Sequence, residues 1–491
     1  MTPERRCQRN AGVQRRDVVK DSEFNQADGK PKLQESQILS THGEFGFLLG
    51  EREGLEMKLT MTKVAVARQG EISPTIRMMH ERGLRVGILH SGGPAPGGNH
   101  LIAAAAKPFL DHGIEVVGFR CGFKYLEQRA NKEISQEELL EKHVRDITHS
   151  VASKSLDQNG LIIGTSRANP GKDIKSPHDL FDPKKTETIE KIIDIFQELR
   201  IGALITLGGD DTLKTANFFQ EVSRMRRERE PDLTFQGVVH APKTIDKDYK
   251  GIDFTYGFFT AVEIAEKLVR NLHDDAEATD TWHVVELMGR DAGWITGAAS
   301  VAGRATVTLL PEQFGKVLDL EDIAEKLVRE VILPREAEKK AYGVICLAEG
   351  LGEKLPKDAI KDVGQDLHGH VRLSDVRLGL RLTDILQAKY KEITGRSLSS
   401  KPHSIGYEIR QAEPVVYDKL LCFQLGLGAF RLIESGRFGE MVTLKGEWKI
   451  YGIRFDQLVN PATLKVQKQL VDLDGDFFAM IEALQRHFPR V

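Results

Sequence analysis

The chain has 491 residues, with 69 Lys and Arg against 72 Asp and Glu, for a formal net charge of −3. Hydrophobic residues at 40% and charged residues at 29% exclude a wholly disordered, collagen-like or disulfide-scaffold protein. The charge balance excludes a general nucleic-acid or membrane-surface role.

Residues 1 to about 80 are polar and lack sustained apolar periodicity, and are read as an N-terminal extension, partly disordered or draped over a neighbour. Five arginines between Arg5 and Arg16 have no apolar core behind them, which speaks against a secretory signal. From Arg85 onward, short β-rich runs alternate with helical stretches. Strands are expected at Arg85–His90, Ile114–Phe119, Leu161–Ile163, Ala203–Leu207, Gly237–His240, His283–Leu287, Thr306–Leu310 and Tyr342–Leu347. Helices are expected at Asn99–Leu110, Thr186–Arg200, Thr212–Glu230, Gly257–His273, Gly293–Ala302, Leu320–Ile332 and Leu373–Thr394. Buried apolar runs alternating with amphipathic helices define an α/β class with largely parallel sheets, in two lobes with a cleft between. The four cysteines, Cys7, Cys121, Cys346 and Cys422, are far apart and form no CxxC pair, so neither a metal cluster nor a disulfide framework is expected. No apolar run reaches the length of a membrane span, and a cytoplasmic location is expected.

Glycine, 45 of 491 residues, exceeds the usual share of about 7%. Several glycines fall where strands end. Ser91-Gly92-Gly93-Pro94-Ala95-Pro96-Gly97-Gly98-Asn99 joins a strand to a helix. It reads either as a tight turn or as backbone amides brought close to an anion. Neither the Walker A spacing nor a GxGxxG after a strand occurs, so P-loop and dinucleotide-binding readings lose support. The second cluster is Gly208-Gly209-Asp210-Asp211, again between strand and helix. There Asp211 reads either as a helix N-cap or as part of a carboxylate pair holding Mg²⁺ beside phosphate. The third is Pro242-Lys243-Thr244-Ile245-Asp246-Lys247-Asp248, which alone would read as a solvated turn. Three polar clusters at three strand C-termini favour a site over three turns.

In chain order, SGGPAPG, GTSR, GGDD, PKTIDxD, MGR, AEG and GYxxR resemble the phosphofructokinase family, and among its members the pyrophosphate-dependent branch. The resemblance runs from about Arg85 to Arg410. It implies two phosphofructokinase-like α/β lobes, with the active site in the cleft between them. Residues 81–265 would form the phosphoryl-donor lobe and 266–430 the sugar-phosphate lobe. Residues 431–491 would be a C-terminal segment packing back on them.

The resemblance also implies roles. Asp246 matches the catalytic base, Lys243 and Asp211 the pair that sets the donor, and Asp210 the Mg²⁺ ligand. Asp248 would position the metal or the base. Gly93 and Arg167 match donor-phosphate contacts. Thr244, Ile245, Asp246, Met288, Gly289, Arg290, Glu349, Tyr407 and Arg410 match the fructose 6-phosphate site, with Lys401 as a second basic contact for its 6-phosphate. The cofactor implied is Mg²⁺. The substrates are pyrophosphate and fructose 6-phosphate, and the assembly is a homodimer or homotetramer. Many ATP-using relatives read GGDG, and the Asp211 carboxylate would set bulk and negative charge near the α-phosphate of ATP. Lys243 would place a cation on pyrophosphate and the leaving phosphate. Bacterial ATP enzymes carry a cross-subunit arginine seven residues before the Met of MGR, where this chain has Thr281. The competing expectations are an ATP-dependent phosphofructokinase and a non-catalytic regulatory subunit.

Overall fold

Twelve strands carry the fold in the computed structural model, which describes residues 59–64, 72–364 and 371–489. All of these belong to one unit, Met57–Val491. In chain order the strands are β1 (Thr62–Lys63), β2 (Arg85–His90), β3 (Val116–Phe119), β4 (Val144–Asp146), β5 (Ile201–Gly208) and β6 (Gly237–Pro242). Then come β7 (Trp282–Leu287), β8 (Val307–Leu309), β9 (Gly343–Ala348), β10 (Ser400–Ile405), β11 (Glu440–Lys445) and β12 (Lys449–Arg454). The first sheet has the order β1-β12-β11-β6-β5-β2-β3-β4, and the second β10-β7-β9-β8. Pairing is parallel from β11 through β6, β5 and β2 to β3, and throughout the second sheet. The antiparallel pairs lie at the margins, with β1 on β12, β12 on β11, and β4 on β3.

The central strands are mostly apolar because helices cover both faces of a parallel sheet. Every residue of β5 is buried. In the second sheet, alternation assigns each face to a different core. Val284, Ile345 and Leu347 pack under Leu382 and Leu386, whereas Val285, Leu287, Val344 and Cys346 join the core of the first sheet. Burying each such side chain contributes about 1.5–3 kcal/mol. Helix starts follow local chemistry: Pro183 opens the helix Pro183–Glu198, and the Asp182 carboxylate accepts from the Lys184 amide at 3.0 Å.

Most expected elements are present, often one or two residues longer. Leu161–Ile163 is not a strand. Ile162 and Ile163 are buried, but the backbone is satisfied outside a sheet: the Ile162 amide donates to Asn99 Oδ1, and Arg145 and the Cys121 amide donate to the carbonyls of Ile162 and Ile163. The helix expected over 373–394 is broken at Arg377, where φ is 53°. Within the expected extension, β1 pairs with β12, and Pro74–Glu81 is a helix capped by Ser73. The rest of residues 1–80 up to 58, and 65–71, lies outside the described residues.

The expected boundary at 265/266 falls inside the helix Phe258–Thr279. The helix Val416–Glu434 returns to the first sheet's side and packs on Gly98–Asp111, with Phe430 4.8 Å from Phe109 between ring centroids. Their approach is close because Gly426 has no side chain: a Cβ there would meet the Leu101 carbonyl at 2.5 Å. Strands β11 and β12 then extend the first sheet. Motif order suggests contiguous lobes, but the chain crosses back once its second sheet is complete.

Candidate active site

Parallel pairing brings three loops to one rim. His90 lies beside Leu207, and Gly208 beside Pro242, so the loops after β2, β5 and β6 emerge together. The segment Gly164–Arg167 is zipped to the first loop. The Gly92 amide donates to the Ser166 carbonyl at 2.8 Å, Thr165 Oγ1 donates to the Gly92 carbonyl at 2.7 Å, and Ser91 Oγ donates to the Ser166 carbonyl at 3.1 Å. This places Arg167 at the cleft beside Gly93. Gly92 adopts φ +85°, a conformation costly for other residues, with Lys243 Nζ close by.

The second loop opens the helix Asp210–Arg229. Gly209 is its N-cap and makes no side-chain cap, so Asp211 is not the capping residue. Both aspartates lie in the first turn, where the helix dipole favours negative charge. The third loop is tied to the second: the Lys243 amide donates to the Gly208 carbonyl at 2.8 Å. Tyr249 donates its hydroxyl to the same carbonyl at 3.1 Å and lies against His240, which meets Thr206. Thr244 Oγ1 accepts from the Asp246 amide at 3.0 Å, setting the turn that carries Asp246. Between the two aspartates Lys247 takes φ 58°, a cost of about 1–2 kcal/mol. Its ammonium lies 3.5 Å from the Trp294 ring centroid, which offsets that cost.

From the second sheet, Arg290, Asp291, Glu349 and Glu353 complete the wall. The Gly289 amide approaches Glu349 at 3.4 Å. A Cβ at Gly350 would meet the Arg290 carbonyl at 2.0 Å, so glycine alone permits this approach. Arg290 is held by Glu353 and the Val371 carbonyl. Arg410 reaches across, with Nη1 3.5 Å from where a Gly93 Cβ would stand. The result is a cleft of about 370 Å³ with strongly charged walls.

The electrostatics follow from burial. Burial raises the Asp246 carboxyl, and the charges of Asp248 and Glu349 add to this against the pull of Arg410 and Lys468. Burial also raises Glu349, against its amide partner Gly289 and the arginines. Burial lowers the Lys243 ammonium to about 8, helped by Arg410 and opposed by the aspartates. For Asp210, burial pushes upward, but Lys468 and the Asp211 amide outweigh it and leave the carboxyl below its ordinary range.

The donor set decides whether a divalent cation suits this cleft. Asp210, Asp248 and Asp291 offer hard carboxylate oxygens, and Mg²⁺ typically takes one or two carboxylates together with substrate phosphates. The set therefore fits. Among the described residues, however, no three His, Cys, Asp or Glu side chains are grouped as a metal cage. The three carboxylates converge instead on Lys468 Nζ, at 3.1, 3.0 and 2.7 Å.

Of the residues singled out from sequence, Gly93, Arg167, Asp210, Asp211, Lys243, Thr244, Ile245, Asp246, Asp248, Arg290, Glu349 and Arg410 line this one cleft. Met288 is buried beneath the rim, and the Gly289 amide faces Glu349. Tyr407 is 69% exposed, with the Arg410 guanidinium 5.0 Å from its ring centroid, and is outside the cleft wall. Lys401 is not brought to the cleft. It sits at the start of β10, opposite His283, and the rim lies at the Ile405 end, about 13 Å further along an extended chain. The sequence reading missed β10 because Pro402 and polar residues hide an edge strand. Thr281 is buried and bonded to Ser399 at 3.0 Å, away from the rim. Asn169, Asp291, Glu353 and Lys468 were missed. Asp291 had a signal, adjacency to MGR, whereas Lys468 had none.

Two parallel α/β sheets that present their strand ends to one charged cleft define a class of open α/β proteins with a site at the C-terminal edges of the strands. Within that class, the phosphofructokinase model matches residues 85–433, and the chain belongs to the phosphofructokinase family. It is 33% identical over 405 residues to the pyrophosphate--fructose 6-phosphate 1-phosphotransferase of Thermotoga maritima, covering 80% of this chain and 88% of that one. It is 30% identical to the protein of the same name from Naegleria fowleri (80% and 86%), and 30% identical to ATP-dependent 6-phosphofructokinase 3 of Bacteroides thetaiotaomicron (74% and 90%). The fold is shared with a pyrophosphate-dependent phosphofructokinase structure from Nitrosospira multiformis, at TM-score 0.59 and 18% identity, over 83% of this chain and 93% of that one.

Proposed function

We propose that the chain catalyses reversible, Mg²⁺-dependent phosphoryl transfer from pyrophosphate to the 1-hydroxyl of fructose 6-phosphate, giving fructose 1,6-bisphosphate and phosphate. The observation that carries this is the convergence of Asp246, Lys243 and Asp211 on one cleft that also holds Gly93, Arg167 and Arg410. The kinship with relatives named for this reaction, at 30–33% identity, supports it.

Asp246 is the general base. It accepts the proton of the 1-hydroxyl as that oxygen bonds to phosphorus and the bridging P–O bond of pyrophosphate breaks, releasing phosphate. Its burial and its anionic neighbours make it a stronger base than an exposed carboxylate. Lys243, buried beside the glycine loop, neutralises pyrophosphate and the departing phosphate. Arg167 and the Gly93 amide hold the donor. Thr244, Arg290, Glu349 and Arg410 orient the sugar phosphate, with Asp246 between the two substrates. Asp210 and Asp248 would hold Mg²⁺, which when bound would neutralise charge on the transferring group.

Asp211 selects the donor. Its carboxylate stands on the donor wall beside Asp210, where a longer polyphosphate chain would meet a like charge. A homodimer or homotetramer in the cytoplasm belongs to the same reading, and no described helix is long and apolar enough to cross a membrane. Assaying pyrophosphate and ATP separately, in both directions with Mg²⁺, tests the proposal. Turnover with ATP and none with pyrophosphate overturns the donor assignment.

A further inference from the structure

Lys468 reaches the cleft from the far C-terminal part of the chain, 220 residues from Asp248. The strap that carries it is stitched to both walls. Lys468 forms an antiparallel bridge with Tyr249, and the Gln469 amide donates to the Asp248 carbonyl at 2.7 Å. The Gln469 carbonyl accepts from Trp294 Nε1 at 2.8 Å, and the Val471 amide donates to Glu312 Oε1 at 2.9 Å. The same Glu312 oxygen accepts from the Gly293 amide at 3.0 Å, next to Trp294. With the backbone fixed on both sides, the side chain is aimed into the acidic corner. Its ammonium has three protons and lies within 2.7–3.1 Å of three carboxylates, from Asp291, Asp248 and Asp210. One carboxylate comes from the second loop, one from the third and one from the second sheet. The lysine therefore ties all three parts of the corner together.

A cation bound by Asp210 and Asp248 shares their carboxylates with this ammonium, and two positive charges so close repel. We propose that Lys468 is a positioning residue of the phosphoryl-transfer site. It holds the three aspartates together while no donor is bound and keeps free divalent cations off them, so that the metal enters with pyrophosphate. This rests on the phosphotransferase reading for its meaning. Pyrophosphate supplies the counter-charge to which the ammonium turns, releasing carboxylate oxygens to the ion that accompanies it. Without Lys468, the three carboxylates lose the ammonium they share, a change that favours a divalent ion among them.

The test titrates the full-length chain with Mn²⁺ in the absence of donor and reads free Mn²⁺ by electron paramagnetic resonance. Wild type is expected to take up no Mn²⁺ below about 1 mM. Lys468→Met is expected to bind it at least about tenfold tighter, a minimal effect for removing a unit charge a few ångströms away. Lys468→Arg, which keeps the charge, is expected to stay near wild type, and circular dichroism melting checks that each variant is folded. Tight Mn²⁺ uptake by wild type without donor overturns the proposal, and so does a folded Lys468→Met protein with unchanged affinity. The wild-type titration decides even if the methionine variant does not fold. Because the readout is metal binding and not turnover, a failed donor assay would overturn the function while leaving this result standing.

Discussion

The loops after β2, β5 and β6 and the loops after β7, β9 and β10 face the same cleft but are held by different means. The first set is locked by hydrogen bonds to backbone carbonyls: the Gly92 amide to Ser166, the Lys243 amide to Gly208, and the Tyr249 hydroxyl to Gly208. The second set joins backbone and side chains, with the Gly350 amide donating to the Gly289 carbonyl at 3.1 Å, Arg290 on Glu353 and Val371, and Glu349 near the Gly289 amide. Tyr407 points largely to solvent. Under the proposed function, the donor meets the wall locked by these loop-to-loop bonds, and the sugar phosphate meets the other. In the first wall, losing one charge is expected to remove transition-state stabilisation. In the second, losing a peripheral group is expected to cost binding alone.

The largest expected effect comes from Asp246→Ser: kcat falls by roughly 10²–10⁴ while the KM for fructose 6-phosphate stays near wild type. A mild change in steady-state kcat removes Asp246 from the role of base. Lys243→Met is expected to lower kcat/KM for pyrophosphate by roughly 10²–10³, the range for losing one preorganised charge. Equal loss with every donor offered would show that Lys243 does not distinguish donors. The pH profile comes next. Asp246 must be ionised to accept a proton and its pKa is raised, so kcat falls on acidification at a pH above the ordinary carboxylate range of about 4. Lys243 must be protonated and its ammonium is lowered to about 8, so kcat/KM for pyrophosphate falls as pH rises through about 8. Lys243→Arg should move that alkaline limb upward, and an unmoved limb assigns it to another group. Asp211→Gly is expected to raise ATP turnover relative to pyrophosphate turnover, measured as a ratio of kcat/KM. The smallest effect is expected from Lys401→Ala, with the KM for fructose 6-phosphate within about twofold of wild type, because Lys401 lies at the wrong end of β10. A large rise in KM would show that the sugar wall extends further than the cleft described here.

This contrast also marks what was legible in the chain. β2 is expected and observed over the same residues, Arg85–His90, because its centre, Val86 to Leu89, is buried and apolar. The donor residues were readable for a related reason. A loop between a parallel strand and its helix is short, so its chemistry is contiguous in sequence, as in Asp210-Asp211 or Lys243 to Asp248. Leu161–Ile163 misled because three apolar residues bury equally well in a loop whose backbone finds other partners. β10 was hidden because an edge strand tolerates Pro402 and polar residues.

The α/β class, the glycine-bearing strand ends and the cleft-lining residues that follow β2, β5 and β6 were legible in the chain, since each depends on neighbours a few positions away. Tertiary structure alone decided that Lys401 stays away from the cleft and that the chain returns after its second sheet to extend the first. It alone brought Lys468 to Asp210, Asp248 and Asp291. The physical reason is that an ion cluster gathered from four distant segments leaves no periodicity or spacing in the chain. Its geometry exists only once packed elements have fixed where each backbone runs.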